Sequence, residues 1–203
     1  MTICRKNTAN QQKDAKFGWL NNGIGIINGP QIALFLVDQM ITPERQSVLN
    51  SQIAAIQSHD ELFSALRRVS HEFSLRHVTF LSFNNPDEEC LARMVLESTV
   101  PAAYFAEFDR QRLLRHCSVG PLIAHSKRPF SWTINDTIHT RGFEIHPAIA
   151  SLQKQYELIT SVVMTLFSLE GERFIMRFDG TRPRLTQVEL NEIGMVMLHA
   201  FDM

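Results

Sequence analysis

Hydrophobic residues recur at helical spacing along much of the chain and alternate at strand spacing in two regions. Apolar side chains follow Ser58 at steps of four, three and four from Leu62 to Phe73, which predicts one face of an amphipathic helix. Ser58 and Glu61 have the spacing of a capping box, in which each side chain accepts from a free backbone N–H at the helix start. A helix is therefore expected to begin at Ser58.

Other helices have start signals of the same kind. Thr42-Pro43 pairs an N-cap residue with proline at the first helical position. We expect the helix after it to bury Val48, Ile53 and Ile56. Further helices are predicted from Pro101 to about Leu114, over 121–128 between two prolines, over 146–157, and after a second capping box at Thr186–Glu189. The last helix carries Leu190, Ile193, Met197 and Phe201 on one stripe.

Two regions favour β-hairpins. Residues 77–84 form the first predicted strand, and 90–99 form a second, although Ala92–Leu96 would also suit a helix. The clearest hairpin covers 158–180, with Glu170-Gly171 as its turn. Large apolar residues alternate along both of its strands: Val162, Met164, Leu166, Phe174, Met176 and Phe178.

The order of helices, two strands, helices, two strands and helix predicts an α/β (α+β) fold. We expect an α/β/α sandwich around a mostly antiparallel sheet. The folded domain is expected over 42–203, preceded by a partly disordered arm over 1–41, because residues 1–16 are polar and rich in Asn, Gln and Lys. Polar residues interrupt the apolar stretch 17–41, so it is too short to span a membrane.

Composition limits the classes of function. The chain has 203 residues and a net charge of −1, which gives no global electrostatic reason for this chain alone to bind DNA. Its three cysteines contain no Cys-x-x-Cys pair, which fits a reducing, cytoplasmic location.

No catalytic or cofactor-binding motif is readable, so we expect neither an enzyme nor a cofactor. His116, Cys117 and His125 are potential metal ligands, but their spacing matches no usual zinc pattern. A packing role is the simpler interpretation of Cys117.

Aromatic residues concentrate between positions 100 and 132. Tyr104 and Phe108 lie four residues apart on one helix face, and Phe130 and Trp132 follow Pro129. We expect Met164 of the predicted hairpin to face the same layer. These side chains either fill a core or line a pocket for an amphiphile, in which the Tyr O–H and Trp N–H fix a polar group. The residues alone leave both interpretations open.

Two segments carry a resemblance to a known family. They are Pro101-Ala-Ala-Tyr104-Phe-Ala-Glu-Phe108 and Cys117-Ser-Val-Gly-Pro-Leu-Ile-Ala-His-Ser-Lys-Arg-Pro-Phe-Ser-Trp132. Together they resemble the autoinducer-binding domain of LuxR-type quorum-sensing regulators. The resemblance covers about residues 50–203 and implies an α/β/α sandwich that encloses an acyl-homoserine lactone. It also implies dimerisation through this domain. The candidate ligand-binding residues are Tyr104, Phe108, Cys117, Phe130, Trp132, Ser161 and Met164.

The chain departs from the family pattern at the residues that would hold the lactone. Tyr104 stands where the family has Trp, and Phe108 where it has Tyr. The family Asp that accepts the ligand's amide N–H falls at Cys117, or at Gly120 if a gap is allowed, so the carboxylate is missing in both alignments. Only Trp132 is retained.

A carboxylate that accepts a buried N–H contributes about 1.5–3 kcal/mol, and its loss weakens binding roughly tenfold to a hundredfold. We therefore expect this chain not to bind acyl-homoserine lactones in the usual way. An acidic side chain that points into the pocket from another element would contradict this expectation.

Only 17 residues follow Thr186, which is too few for the helix-turn-helix domain of a full-length regulator. We expect either a fragment or a naturally short regulator that forms a heterodimer with a full-length relative. The alternative is a stand-alone binder of small molecules of the PAS or GAF type.

Overall fold

The structure is a computed structural model that describes residues 43–85, 87–136 and 144–202. The predicted arm over 1–41 lies outside the described residues. The α-helices are α1 Pro43–Ala54, α2 His59–Glu72, α3 Leu91–Met94, α4 Ala102–Arg110, α5 Val119–His125, α6 Pro147–Gln155 and α7 Gln187–Phe201, with one 3₁₀ helix at Leu113–His116. The strands are β1 His77–Ser82, β2 Val95–Ser98, β3 Phe130–Thr133, β4 Thr160–Phe167 and β5 Arg173–Gly180.

The five strands form one sheet in the order β2-β1-β5-β4-β3, and all four neighbouring pairs are antiparallel. Helices cover both faces, so the predicted α/β/α sandwich around an antiparallel sheet is confirmed. The sequence analysis missed β3, because Pro129 precedes it and it has only four residues. Its register places Trp132 opposite Ser161 of β4.

The first helical layer consists of α1, α2 and α7. The Oγ of Ser58 accepts from the Glu61 N–H as predicted, but the Glu61 carboxylate accepts from Gln57 rather than from Ser58 itself. In α1 the predicted burial of Val48 is wrong, because that side chain is exposed while Leu49 and Ile53 face the core. The two other helices bury apolar stripes that the periodicity predicted.

Helix α7 begins with the predicted capping box, in which Thr186 and Glu189 bond each other's backbone N–H groups. Gly194, in the middle of this helix, lies against Pro129, which comes directly before β3. A Cβ at position 194 would lie 2.5 Å from the Cγ of Pro129, so the close approach of α7 to β3 requires glycine.

The second helical layer consists of α3, α4, the 3₁₀ helix, α5 and α6. The segment predicted as a strand over 90–99 is half helix, since α3 occupies its first part and β2 its last. The helix predicted from Pro101 stops at Arg110. Arg112 adopts a left-handed backbone with φ of 53°, and the 3₁₀ helix continues the chain. Helix α5 begins at Val119, so Pro121 lies in its first turn.

The β4–β5 hairpin was predicted correctly, with Gly171 at a φ of 85° in its turn. Val162, Met164 and Leu166 face the first helical layer, while Val163 and Ile175 face the second. Both faces of the hairpin are therefore buried. Among the described residues, no helix is long and apolar enough to cross a membrane.

Candidate functional site

A cavity of about 90 Å³ lies between the sheet and the second helical layer. Strands β1, β3, β4 and β5 form its floor, and all the elements of the second layer form its walls. Most of its lining is apolar, including Leu81, Leu91, Met94, Ile123, Ile145, Ile149, Val163 and Ile175. The polar lining groups belong to a few residues: Tyr104, Cys117, Ser118, Trp132, His146, Gln153 and Arg177.

Four of the candidate ligand-binding residues lie together around this cavity: Tyr104, Phe108, Cys117 and Trp132. Helix α4 presents Tyr104 and Phe108 one turn apart, with ring centroids separated by 5.9 Å. Strand β3 presents Trp132 from the floor. Three of the predicted aromatic residues therefore lie around one cavity, and their role in ligand binding stays a prediction.

The other three candidates do not line the cavity. Phe130 packs beside Trp132 with ring centroids 5.2 Å apart, and so supports the wall from outside. Ser161 faces the same side of the sheet, but its hydroxyl donates to Asp179. The prediction that Met164 faces this layer is wrong. Met164 points to the opposite face, because its strand neighbour Val163 takes the cavity side.

Arg177 brings a positive charge into the cavity wall from β5. Its Nε donates to the Oδ1 of Asp179 at 2.8 Å, and its Nη2 donates to the Oγ of Ser161 at 3.1 Å. The guanidinium also lies 5.9 Å from the ring centroid of Trp132. Burial lowers the pKa of Arg177, but the charge and hydrogen bond of Asp179, together with the nearby Tyr104 and Cys117, outweigh it, so the pKa lies above its ordinary value.

Asp179 is an acidic side chain on the cavity side of the sheet, in a position that the family alignment did not indicate. It is 1% exposed and its charge is paired with Arg177, but it is not among the residues that line the cavity. Of the described residues that do line it, none is Asp or Glu. Its Oδ1 accepts from Arg177 and Ser161, and its Oδ2 has no hydrogen-bond partner among the described residues.

Two polar atoms of the cavity wall have no hydrogen-bond partner among the described residues. These are the hydroxyl of Tyr104 and the Oε1 of Gln153, which belong to side chains 1% and 4% exposed. Burial raises the pKa of Tyr104, and the nearby Arg177 acts in the opposite direction. A buried polar group without a partner costs about 1–3 kcal/mol, so each would gain from a bound polar group.

Cys117 follows the 3₁₀ helix and lines the cavity as a free thiol. Burial raises the pKa of this thiol, which therefore stays protonated at neutral pH and is a poor nucleophile. Its neighbour His116 stacks on His146 of the opposite wall with ring centroids 4.7 Å apart. Within the described residues, no three or more metal-ligating side chains form a group that could hold a metal ion. The side chain of His125, one of the potential ligands named from the sequence, lies outside what the structure describes.

Arg177 and Gln153 line the cavity but were not among the candidate residues predicted from the sequence. In Phe174–Gly180 the alternation places Arg177 and Asp179 on the face opposite Phe174, Met176 and Phe178. A sheet covered by helices on both sides buries both faces, so a charged pair at alternate positions of a central strand was a readable signal. Gln153 lies one residue after Leu152 near the end of a helix, and no signal in the sequence separates it from a surface glutamine.

The fold and the cavity define a class of α/β/α domains that enclose an apolar space between the sheet and one helical layer. The family model of the autoinducer binding domain matches residues 58–203. No sequence among curated proteins matches this chain. The chain belongs to the family of LuxR-type autoinducer-binding domains, as the residues after position 100 indicated.

Solved structures of this family share the fold. CepR2 from Burkholderia cenocepacia, an N-acylhomoserine lactone dependent LuxR family transcription factor, aligns with a TM-score of 0.61 at 8% identity, over 77% of this chain and 92% of its own. SdiA from Escherichia coli aligns with a TM-score of 0.58 at 10% identity, over 78% of this chain and 66% of SdiA. SdiA in complex with octanoyl-rac-glycerol aligns with a TM-score of 0.59 at 10% identity, over 78% of this chain and 64% of its own. At these identities the likeness establishes the fold alone.

Proposed function

We propose that residues 42–203 form a ligand-sensing domain that binds a small apolar or amphiphilic molecule in the cavity between Tyr104 and Trp132. The observation that carries this proposal is a mostly apolar cavity between the sheet and a helical layer, with unpartnered polar atoms in its wall. Pockets for small molecules are mostly apolar and use a few placed polar groups to orient the ligand. The family is one of ligand-binding regulator domains, so we propose no enzymatic activity.

We also propose that the domain does not bind acyl-homoserine lactones in the usual way. In the family pattern a carboxylate accepts the amide N–H of the lactone, and a neutral acceptor in its place forms a weaker hydrogen bond. Cys117 and Gly120, the two positions that could replace the family carboxylate, offer a protonated thiol or no side chain. Asp179 accepts from Arg177 and Ser161 through Oδ1 and leaves Oδ2 without a partner among the described residues, but its side chain does not line the cavity. CepR2 depends on an N-acylhomoserine lactone, whereas SdiA was solved in complex with octanoyl-rac-glycerol. These two relatives suggest that ligand chemistry varies on this fold.

The size of the cavity supports a small ligand or one that displaces wall residues. Ligand pockets usually measure about 300–1,000 Å³, whereas this one measures about 90 Å³. Part of an acyl chain would need α5 or the 3₁₀ helix to move outward. Both are short, at seven and four residues, and short helices owe most of their stability to packing.

The test is a ligand search on the purified chain. Trp132 lies in the cavity wall, and Trp19 is the second tryptophan of the chain, so a Trp19→Phe background leaves Trp132 as the one reporter. We expect octanoylglycerol and short neutral amphiphiles to change Trp132 fluorescence in a saturable way. Calorimetric titration is expected to show no submicromolar binding of any acyl-homoserine lactone. Tight binding of such a lactone would refute this part of the proposal.

We further propose that the domain dimerises, with a second copy or with a full-length LuxR-type regulator in the cytoplasm. Val188, Met195 and Leu198 support this proposal, because they form an exposed apolar stripe on α7. Sedimentation velocity should detect a dimer that Leu198→Glu disrupts. Leu169→Glu, which changes a fully exposed leucine of the β4–β5 turn, is the matched control. Co-purification with full-length relatives tests the heterodimer, and absence of a complex at micromolar concentration would refute it.

A further inference from the structure

The unpartnered atoms of Tyr104 and Gln153 belong to two different helices, α4 and α6, and both side chains are more than nine-tenths buried. Gln153 Oε1 can only accept a hydrogen bond, whereas the Tyr104 hydroxyl can donate one and accept another. Folded proteins leave few buried polar atoms unpaired, and those that remain at a cavity wall usually meet a ligand or ordered water. The pair therefore specifies what a bound head group must offer.

Several other polar groups of the wall already form hydrogen bonds within the protein. Ser118 donates its hydroxyl to the backbone oxygen of Glu144, and His146 accepts from the N–H of Ala148 through Nδ1. Arg177 uses Nε and Nη2 on Asp179 and Ser161, which leaves Nη1 as a donor for a ligand. Among the described residues, the wall thus offers Gln153 as an acceptor, with Tyr104, Arg177 and the indole N–H of Trp132 as donors.

We propose that Gln153, Tyr104 and Arg177 form a polar subsite that recognises a neutral amphiphile whose head group both donates and accepts a hydrogen bond, such as an amide or an alcohol. This inference rests on the proposed function and adds the chemical class of the ligand. The N–H or O–H of the head group donates to Gln153 Oε1, and its oxygen accepts from Tyr104 and Arg177. The apolar tail lies among the leucine, isoleucine and phenylalanine side chains of the remaining wall.

Other head groups satisfy the subsite less well. An ester accepts hydrogen bonds but leaves Gln153 unpaired, as does a carboxylate. A carboxylate gains little from Arg177, because Asp179 already neutralises that charge at 2.7 Å. An alkane leaves all three residues without a partner. A binding site built to pair a donor discriminates strongly against analogues that lack it.

The experiment compares hexanamide, methyl hexanoate and hexanoate, which have six-carbon acyl chains and differ in the head group. Each is titrated into the full chain by calorimetry and by fluorescence in the Trp19→Phe background. We expect hexanamide to bind about tenfold more tightly than the ester or the anion, since one further buried hydrogen bond is formed.

Gln153→Met removes the acceptor at nearly constant side-chain size and is expected to abolish the preference for hexanamide over the ester. Gln187→Met, the same change at an exposed position of α7, should preserve the preference. Tyr104→Phe removes a donor, and so should weaken the amide and the ester by a similar factor. Gln153→Met should also raise the thermal unfolding midpoint of the ligand-free chain, because an unpaired buried oxygen is lost, and this shows that the variant is folded.

Each outcome has a distinct meaning. Equal binding of hexanamide and methyl hexanoate overturns the subsite and leaves the proposed function standing. A preference for the amide that persists in Gln153→Met also overturns the subsite. If none of the three probes binds the wild-type chain at millimolar concentration, and octanoylglycerol also fails, both the subsite and the proposed function are refuted.

Discussion

Arg177 and Asp179 lie two residues apart on β5 and form an ion pair at the floor of the cavity, with Nη2 of the arginine 2.7 Å from Oδ1 of the aspartate. Because β-strand side chains alternate, residues two apart point to the same face and reach each other beneath the second helical layer. The pair brings a charged donor to the cavity without adding net charge there. Its removal therefore affects both stability and the cavity wall.

Asp179→Asn should destabilise the chain by about 2–4 kcal/mol, because it leaves the Arg177 guanidinium buried without its counterion. Urea unfolding measures this loss. Glu157→Gln breaks the exposed ion pair with Arg76, and should cost less than about 1 kcal/mol. The double variant Arg177→Met with Asp179→Leu should recover most of the stability. A double variant that is less stable than Asp179→Asn would contradict this explanation, because the cost would then not come from the uncompensated charge of Arg177.

Val119→Phe should fill the cavity and abolish ligand binding while the chain stays folded. Val119 is buried on α5 and lines the cavity, so a larger apolar side chain occupies the space that a ligand would take. Fluorescence titration with octanoylglycerol measures binding, and circular dichroism measures the unfolding midpoint. Val48→Phe makes the same change at an exposed position of α1 and should bind like wild type. Undiminished binding by Val119→Phe would place the ligand elsewhere.

The stability of the chain should fall as the pH rises above about 9, the ordinary pKa of a cysteine thiol. Burial raises the pKa of Cys117, so above that pH the unfolded chain loses a proton that the folded chain keeps. The contribution of the Cys117 thiol to stability is fully present below its ordinary pKa. It is lost as the pH rises toward the raised pKa of the folded chain, at up to about 1.4 kcal/mol per pH unit.

The Cys117→Ala variant tests this linkage. Its urea-unfolding free energy should decline less steeply than that of wild type between pH 9 and 10. Above pH 10 both chains should lose stability, because burial also raises the pKa of Tyr104 from its ordinary value of 10.0. Equal slopes for the two chains below pH 10 would show that Cys117 is not responsible.

Gly194→Ala should destabilise the chain by about 1 kcal/mol or more, because its Cβ would lie 2.5 Å from the Pro129 ring. Either α7 or the start of β3 must shift. The fluorescence of Trp132, which lies three residues after Pro129, should report the change. Gly120→Ala is the control, since a Cβ there meets no atom within 4 Å. In the first turn of α5 this substitution should be neutral or stabilising. A stable Gly194→Ala variant with unchanged fluorescence would contradict the tight contact.

The parts of the fold that the sequence predicted are those with long periodic patterns. Helices α2 and α7 combine a cap with an apolar stripe, and the β4–β5 hairpin combines alternation with a glycine turn. Strand β3 and helix α3 were missed because each has four residues. So few positions do not define a period, and sheet pairing decides the conformation of β3.

The candidate site was predicted in part for a similar reason. Helical spacing placed Tyr104 and Phe108 on one face correctly, because that relationship is local. The assignment of Met164 failed, because alternation shows which strand residues share a face but not which helical layer that face meets. Gln153 and Arg177 reach the cavity only through packing of distant elements, which no local pattern encodes.

Because helices cover both faces of the sheet, β-structure seals one side of the cavity completely within the described residues. A molecule that reaches Trp132 through this part of the protein must pass between the short helices α3 and α5, the 3₁₀ helix and α6. The exchange of the proposed ligand would then depend on how often those few turns separate. We expect its dissociation to be slower than its affinity alone suggests.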